Sequence, residues 1–241
     1  MVTLTIDGRE IQAKEGQSVL EVAKDKNIII PTLCHHDAVN SYGACRLCIV
    51  EVTRRGQKRL VASCLYPVED KLMVKTDSPR VINVRRMVAE LLLTRCPDSE
   101  VLQDLANELG IDKPRFLLEE SNQKCILCAL CTRACQEIVG VSAISLVNRG
   151  VDRQMVTPFH DFSEACIACG SCVDICPTGA ISIEDNGDTR IITMPHVTME
   201  FKLRKCNVCG GYWAPERQLD YIIKKAGLPA DAFDKCPDCQ D

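Results

Sequence analysis

Residues 2–7 and 10–13 alternate apolar and polar side chains around Asp7-Gly8, a pair that closes tight hairpins, so the chain is predicted to open with two antiparallel strands. Ser18 is placed to cap a short helix over Val19 to Asp25. An extended stretch from Arg46 to Val52 turns at Arg55-Gly56, returns through Leu60 to Ala62, and is followed by a last strand at Leu72 to Val74. Hairpin, helix and further strands make a β-grasp pattern. Ser78-Pro79 then supplies a cap and a first-turn proline, and Val81, Val84, Val88, Leu91 and Leu92 recur at helical spacing. That helix is expected to bury this stripe, and a second short helix, VLQDLANELG, closes at Gly110. Further on, Ala143-Ile144-Ser145 and Ala180-Ile181-Ser182 predict paired strands, and Val197, Met199, Phe201 and Leu203 alternate as another. Pro215 starts a helix carrying Leu219, Ile222 and Ile223 on one face and ending at Gly227. The fold class expected is α+β.

Cysteine changes this picture most. Seventeen of 241 residues are cysteine, and sixteen of them fall into four groups of four. No basic and apolar leader precedes the first strand, which predicts a reducing, cytoplasmic setting. There, closely spaced thiols hold metal more often than they pair as disulfides, because thiolate is the soft ligand that iron–sulfur clusters and zinc select. Net charge is −4, with 29 basic and 33 acidic residues, and aromatic residues make up 4%. That balance argues against a nucleic-acid partner. The longest apolar runs, Ile28 to Ile30 and Leu91 to Leu93, fall far short of the ~20 residues that cross a bilayer, so direct membrane insertion is not expected.

The first group is Cys34, Cys45, Cys48 and Cys64, with gaps of ten, two and fifteen residues. Plant-type [2Fe–2S] ferredoxins have a first gap of about four residues, so this loop is longer. Across IPTLCHH, GACRLCIVEV and ASC the chain resembles the N-terminal ferredoxin module of the complex I large iron–sulfur subunit. The resemblance implies that these four cysteines hold a [2Fe–2S] cluster. His35 and His36 follow Cys34 and invite a Rieske reading, in which two histidines replace two cysteines on one iron. Four cysteines already complete the site, so both histidines are expected to be bystanders of the cluster loop.

In relatives of that family the segment equivalent to RRMVAELLLTR leads into a further [4Fe–4S] site with one histidine and three cysteine ligands. Here residues 94–124 contain no histidine and only Cys96, so four ligands cannot be assembled from them. Cys96, the one cysteine outside the four groups, is expected to be a buried small side chain near a helix end.

Cys125, Cys128, Cys131 and Cys135 recur as Cys166, Cys169, Cys172 and Cys176, each shifted by 41 residues. Such runs are the bacterial [4Fe–4S] signature, in which the fourth cysteine ligates the other cluster. The expected sets are therefore Cys125, Cys128, Cys131 and Cys176 for one [4Fe–4S] cluster, and Cys166, Cys169, Cys172 and Cys135 for the other. The 30 residues between Cys135 and Cys166 exceed what a minimal ferredoxin needs and carry the VNRGVDRQ turn, a candidate docking loop.

The last group is Cys206, Cys209, Cys236 and Cys239, two pairs of knuckle spacing separated by 26 residues. A structural zinc in a ribbon-like module is the preferred reading, with a third [4Fe–4S] cluster as the alternative for the same thiolates. The expected modules are a [2Fe–2S] domain at 1–77, a helical connector at 78–118, a two-cluster [4Fe–4S] ferredoxin domain at 119–187, and a four-cysteine metal module at 188–241.

No dinucleotide-binding glycine turn and no phosphate-binding P-loop is present, and no catalytic residues are expected. The resemblance, which extends to diaphorase small subunits of NAD-linked hydrogenases and to electron-bifurcating complexes, implies an electron-transfer subunit. It would pass single electrons between a flavin- and NAD(P)H-binding partner and a second redox subunit or ferredoxin in a hetero-oligomer. A free ferredoxin serving several enzymes, a succinate-dehydrogenase-type iron–sulfur subunit and a non-redox zinc protein remain open on sequence alone. The short first gap and irregular last run of the succinate-dehydrogenase type count against it.

Overall fold

The computed structural model describes residues 1–116 and 123–240, divided into two units at 129/130. The expected junction at 118/119 lies outside the described residues.

In the first unit, strands β1 (Val2–Ile6) and β2 (Arg9–Ala13) pair antiparallel through the Asp7-Gly8 turn, with Leu4 opposite Ile11. Helix α1 (Val19–Asp25) begins with a full capping box: the Ser18 hydroxyl accepts from the Glu21 N–H, and the Glu21 carboxylate accepts from the Ser18 N–H. Strands β3 (Ile49–Arg54) and β4 (Gln57–Ala62) form a second hairpin, and β5 (Met73–Lys75) runs parallel to β1 and antiparallel to β3. The sheet order is β2-β1-β5-β3-β4. Alternation places Leu4, Ile6, Ile11, Val50, Val52, Leu72 and Val74 in one core with Val19, Val22 and Ala23 of α1. The expected strand at Arg46 begins three residues late, because Arg46 takes a left-handed φ of 60° within the Cys45–Cys48 turn.

Helix α2 (Pro79–Arg95) starts on the Ser78 cap, whose hydroxyl accepts from the Val81 N–H. Its buried line differs from the expected stripe. Val81, Arg85, Ala89, Glu90 and Leu93 face inward, while Leu91 is exposed. Of the expected stripe, Val81 is buried, Val84, Val88 and Leu92 are half-buried and Leu91 is exposed, and the fully buried line also takes in Arg85. Helix α3 (Glu100–Glu108) follows, and Cys96 is buried at the end of α2, its N–H donating to the Leu92 carbonyl.

The second unit opens with α4 (Leu130–Arg133) and a π-helical turn over Ala134–Val139. Strand β6 (Ser145–Val147) pairs with β7 (Gln154–Val156), and α5 (Ser171–Asp174) precedes a four-stranded sheet. That sheet has the order β11-β10-β9-β8, from β8 (Ser182–Asn186), β9 (Thr189–Met194), β10 (Val197–Lys205) and β11 (Tyr212–Pro215). Helix α6 (Glu216–Ala226) packs on β10 and buries Leu219. Strand β10 alternates as expected, with Met199, Phe201 and Leu203 inside.

The expectation that Ala143-Ile144-Ser145 pairs with Ala180-Ile181-Ser182 is not met. Each segment leads into a hairpin of its own, β6 with β7 and β8 with β9, and those hairpins satisfy the backbone groups. No helix among the described residues is long and apolar enough to cross a membrane.

Leu4 is 1% exposed in the core of the first sheet, whereas Met73 on the opposite face of the same sheet is 53% exposed. Leu4→Ala is therefore expected to cost about 2–5 kcal/mol in urea unfolding, and Met73→Ala less than about 0.5 kcal/mol.

Candidate functional site

The first cysteine set is assembled by two loops and the base of the β3–β4 hairpin. Cys34, Cys45, Cys48 and Cys64 are all buried, and the sulfurs of Cys48 and Cys64 lie 3.4 Å apart. Backbone donors already address two of the sulfurs: the Cys45 N–H donates to the Cys34 sulfur at 3.3 Å, and the Leu33 N–H to the Cys45 sulfur at 3.4 Å. Gly43 sits at φ +71° beside the half-exposed Leu65 side chain, and that left-handed backbone is what favours glycine in the loop over Cys64. The thiols oppose one another's ionisation. A hydrogen bond to Cys34, together with burial, pushes Cys45 far up, and sharing a proton with Cys64 lowers Cys48 to about 6 while raising Cys64. Such a donor set calls for a cation among its sulfurs, and the fit to a thiolate-bound cluster rests on that chemistry.

His35 and His36 take other partners. The His35 Nδ1 lies 3.2 Å from the Ser41 hydroxyl and its Nε2 lies 3.6 Å from Asp37, while the His36 Nδ1 accepts from the Ala38 N–H at 3.2 Å.

In the second unit, one pocket is lined by Cys135 together with Cys166, Cys169 and Cys172, closed by Val139, Ile144, Ile192 and Met194. Residues 31 positions apart in the chain thus share one apolar chamber. Burial pushes the Cys172 thiol up to about 12 and raises Cys135 and Cys166. The Ala143 N–H donates to the Cys135 sulfur at 3.2 Å, and the Ala180 N–H to the Cys176 sulfur at 3.3 Å. The repeated Ala-Ile-Ser segments therefore serve as matching sulfur donors.

The repeat also shows in the backbone. Leu127 and Ala129 have φ of 54° and 62°, and their counterparts 41 residues on, Ala168 and Gly170, have 57° and 80°. Three side-chain-bearing residues in the left-handed region cost about 1–3 kcal/mol each, strain of the sort held at functional sites. Cys125 and Cys128 belong to the first unit, Cys131 and Cys176 to the second.

Arginines grip these loops through carbonyls. Arg85 donates to Leu47 and Ile49, Arg95 to Cys125, and Arg190 to Ala168. None of these contacts was visible as a sequence motif, because a carbonyl acceptor leaves no signature in residue identity.

The C-terminal set is of another kind. The sulfurs of Cys206, Cys209, Cys236 and Cys239 all lie within 4.8 Å of one another, the one such group of metal-binding side chains among the described residues. Cys209 and Cys236 are 3.8 Å apart. Tetrahedral zinc with bonds of about 2.3 Å sets its sulfurs about 3.8 Å apart, whereas a four-iron cage gives each thiolate its own iron and spreads them further. Backbone N–H groups of Cys236, Cys209 and Val208 stabilise the Cys206 thiolate, lowering it to about 6. Helix α6 lies between the two knuckles, and its Tyr221 donates to the Val139 carbonyl at 3.0 Å while Arg217 stacks over Phe162 at 5.2 Å.

Comparison with known proteins follows the same division. Residues 1–79 match the 2Fe-2S iron-sulfur cluster binding domain family, and residues 124–180 and 165–211 match the 4Fe-4S dicluster domain family. The chain is 37% identical over 212 residues to the NADP-reducing hydrogenase subunit HndD of Solidesulfovibrio fructosivorans, covering 75% of this chain and 36% of that protein. It is 31% identical to the NADH-ubiquinone oxidoreductase 78 kDa subunit of Candida albicans, covering 75% of this chain and 28% of that one. The chain thus spans about a third of the length of these curated relatives. Among solved structures, a chain of an NAD+-reducing [NiFe]-hydrogenase in the H2-reduced state matches at 31% identity with a TM-score of 0.57, over 65% of this chain and 74% of that one. With both iron–sulfur regions matched in order, the chain belongs to the family of the complex I large iron–sulfur subunit.

Proposed function

We propose that the chain is an iron–sulfur electron-transfer subunit of a multi-subunit NAD(P)H-linked oxidoreductase, relaying single electrons between a flavin- and NAD(P)H-binding partner and a second redox subunit or ferredoxin. The observation that carries this reading is the convergence of Cys135 with Cys166, Cys169 and Cys172 in one apolar chamber, since a shared fourth cysteine belongs to two-cluster ferredoxins. A [2Fe–2S] cluster in a β-grasp domain and two [4Fe–4S] clusters, when bound, each take up and release one electron.

The chain's own residues do the rest. Cys34, Cys45, Cys48 and Cys64 bind the first cluster, with Leu33 and Cys45 N–H groups holding sulfur charge. Cys135, Cys166, Cys169 and Cys172 bind another, and Val139, Ile144, Ile192 and Met194 keep water from it. Cys125, Cys128, Cys131 and Cys176 bind the third, an assignment that rests on the 41-residue repeat. Cys206, Cys209, Cys236 and Cys239 hold one zinc in a ribbon-like module, supported by their single-ion spacing. Of the four modules at 1–77, 78–118, 119–187 and 188–241, the last two share one sheet, with β8 before their boundary and β9 to β11 after it. The setting we propose is reducing and cytoplasmic, where closely spaced thiols stay free to ligate metal.

Reduction by NADH tests the relay directly: the purified chain should stay oxidised with NADH alone and be reduced once its flavoprotein partner is added, and rapid direct reduction would contradict the reading. Elemental analysis of anaerobically purified protein should return about ten irons and about one zinc per chain, whereas a third cage in the tail would give about fourteen irons and no zinc. Cys135→Ser should damage the same [4Fe–4S] signal as Cys166→Ser and leave the signal lost in Cys125→Ser intact. Pairing of Cys135→Ser with Cys125→Ser instead would overturn the ligand exchange.

A further inference from the structure

Arg85 stands in the inward line of α2 between Val81 and Ala89, a place where helical patterning calls for an aliphatic side chain. It is 7% exposed. Its Nε donates to the Leu47 carbonyl at 3.0 Å and its Nη2 to the Ile49 carbonyl at 2.7 Å, the two residues that flank Cys48. Buried acids of the same unit are answered by opposite charges: Glu51 by Lys58 and Arg80, Glu90 by Arg115. Among the described residues no carboxylate comes within ion-pair distance of Arg85. Burial works against its charge, and the strongest opposing influence is Cys48, ahead of Asp77 and Asp7. A guanidinium does not deprotonate in a protein, so two carbonyl dipoles alone would leave a buried cation without a counter-ion.

We propose that Arg85 is the counter-charge of the [2Fe–2S] site at Cys34, Cys45, Cys48 and Cys64 and raises its reduction potential, while its fork fixes the backbone on both sides of Cys48. The inference rests on the relay reading above. Two ferric ions, two sulfides and four thiolates sum to a charge of about −2, and reduction adds one more negative charge. A fixed cation in a poorly screened interior favours the more negative state, so it draws the electron in. Arg190 provides the contrast: it grips the Ala168 carbonyl, but its charge is answered by Asp185. Arg85 is thus a positioning and tuning residue that acts through the Leu47 and Ile49 carbonyls and through its charge.

The test separates charge from clamp in the full chain. Arg85→Gln removes the charge and keeps a donor, whereas Arg85→Lys keeps the charge and loses the fork that spans two carbonyls. In dithionite titrations followed by electron paramagnetic resonance, the [2Fe–2S] midpoint should fall in Arg85→Gln, stay near wild type in Arg85→Lys, and leave the [4Fe–4S] midpoints unchanged in both. An unchanged midpoint in Arg85→Gln, or an equal fall in both variants, overturns the counter-charge. If Arg85→Gln fails to hold the cluster, retention in Arg85→Lys at the wild-type midpoint supports the inference, and loss in both overturns it. A wild-type protein without any [2Fe–2S] signal overturns the relay reading itself, which is a different result from a wild-type signal whose midpoint ignores Arg85.

Discussion

Mutual repulsion among buried thiolates is the constraint around which this chain is built. Four sulfurs gathered away from water cannot all ionise unless a multiply charged centre lies between them: thiol–thiol hydrogen bonds and burial push Cys45 and Cys64 up, burial raises Cys172, and the hydrogen bond with Cys64 lowers Cys48. Everything near the sulfurs serves to hold negative charge in place. Backbone N–H groups of Leu33, Cys45, Ala143 and Ala180 aim at sulfur, and left-handed residues at Arg46, Leu127 and Ala168 bend the loops that carry them. The β-sheet core of the first unit supplies the rigid footing, since β3 leaves directly from Cys48 and β4 ends two residues before Cys64.

Much of this was legible in the residues alone, and the parts that were not have physical reasons. The opening hairpin, the capped helix α1 and the alternation of β10 declare themselves because local chemistry and tertiary burial agree there. Cysteine spacing is legible because ligand geometry fixes how many residues may separate two thiolates. The pairing of Ala143-Ile144-Ser145 with Ala180-Ile181-Ser182 was misread because similar sequence suggested similar neighbours, whereas each segment in fact bonds a cysteine of its own run. The inward face of α2 is legible in part, at Val81, Val84, Val88 and Leu92, but a stripe rule looks for aliphatic residues and passes over Arg85. Strands β9 and β11 escaped notice, one a hairpin return and the other a four-residue edge strand.

The cysteine groups differ in geometry as they do in spacing along the chain. The C-terminal sulfurs crowd within 4.8 Å, a spacing suited to one ion, and backbone donors rather than a charged side chain stabilise Cys206. The Cys135 chamber is apolar and lined by β9 residues Ile192 and Met194. Helix α6 ties the two regions of the second unit together, with Tyr221 on the turn after Cys135 and Arg217 on the segment before Cys166. Those contacts tie the tail to the loops that carry Cys135 and Cys166.

The most direct test of the account is electron paramagnetic resonance of anaerobically purified protein after dithionite reduction, with acid-labile sulfide measured on the same sample. The account predicts a slowly relaxing [2Fe–2S] signal alongside fast-relaxing [4Fe–4S] signals. A colourless sample with neither paramagnetism nor labile sulfide would contradict it.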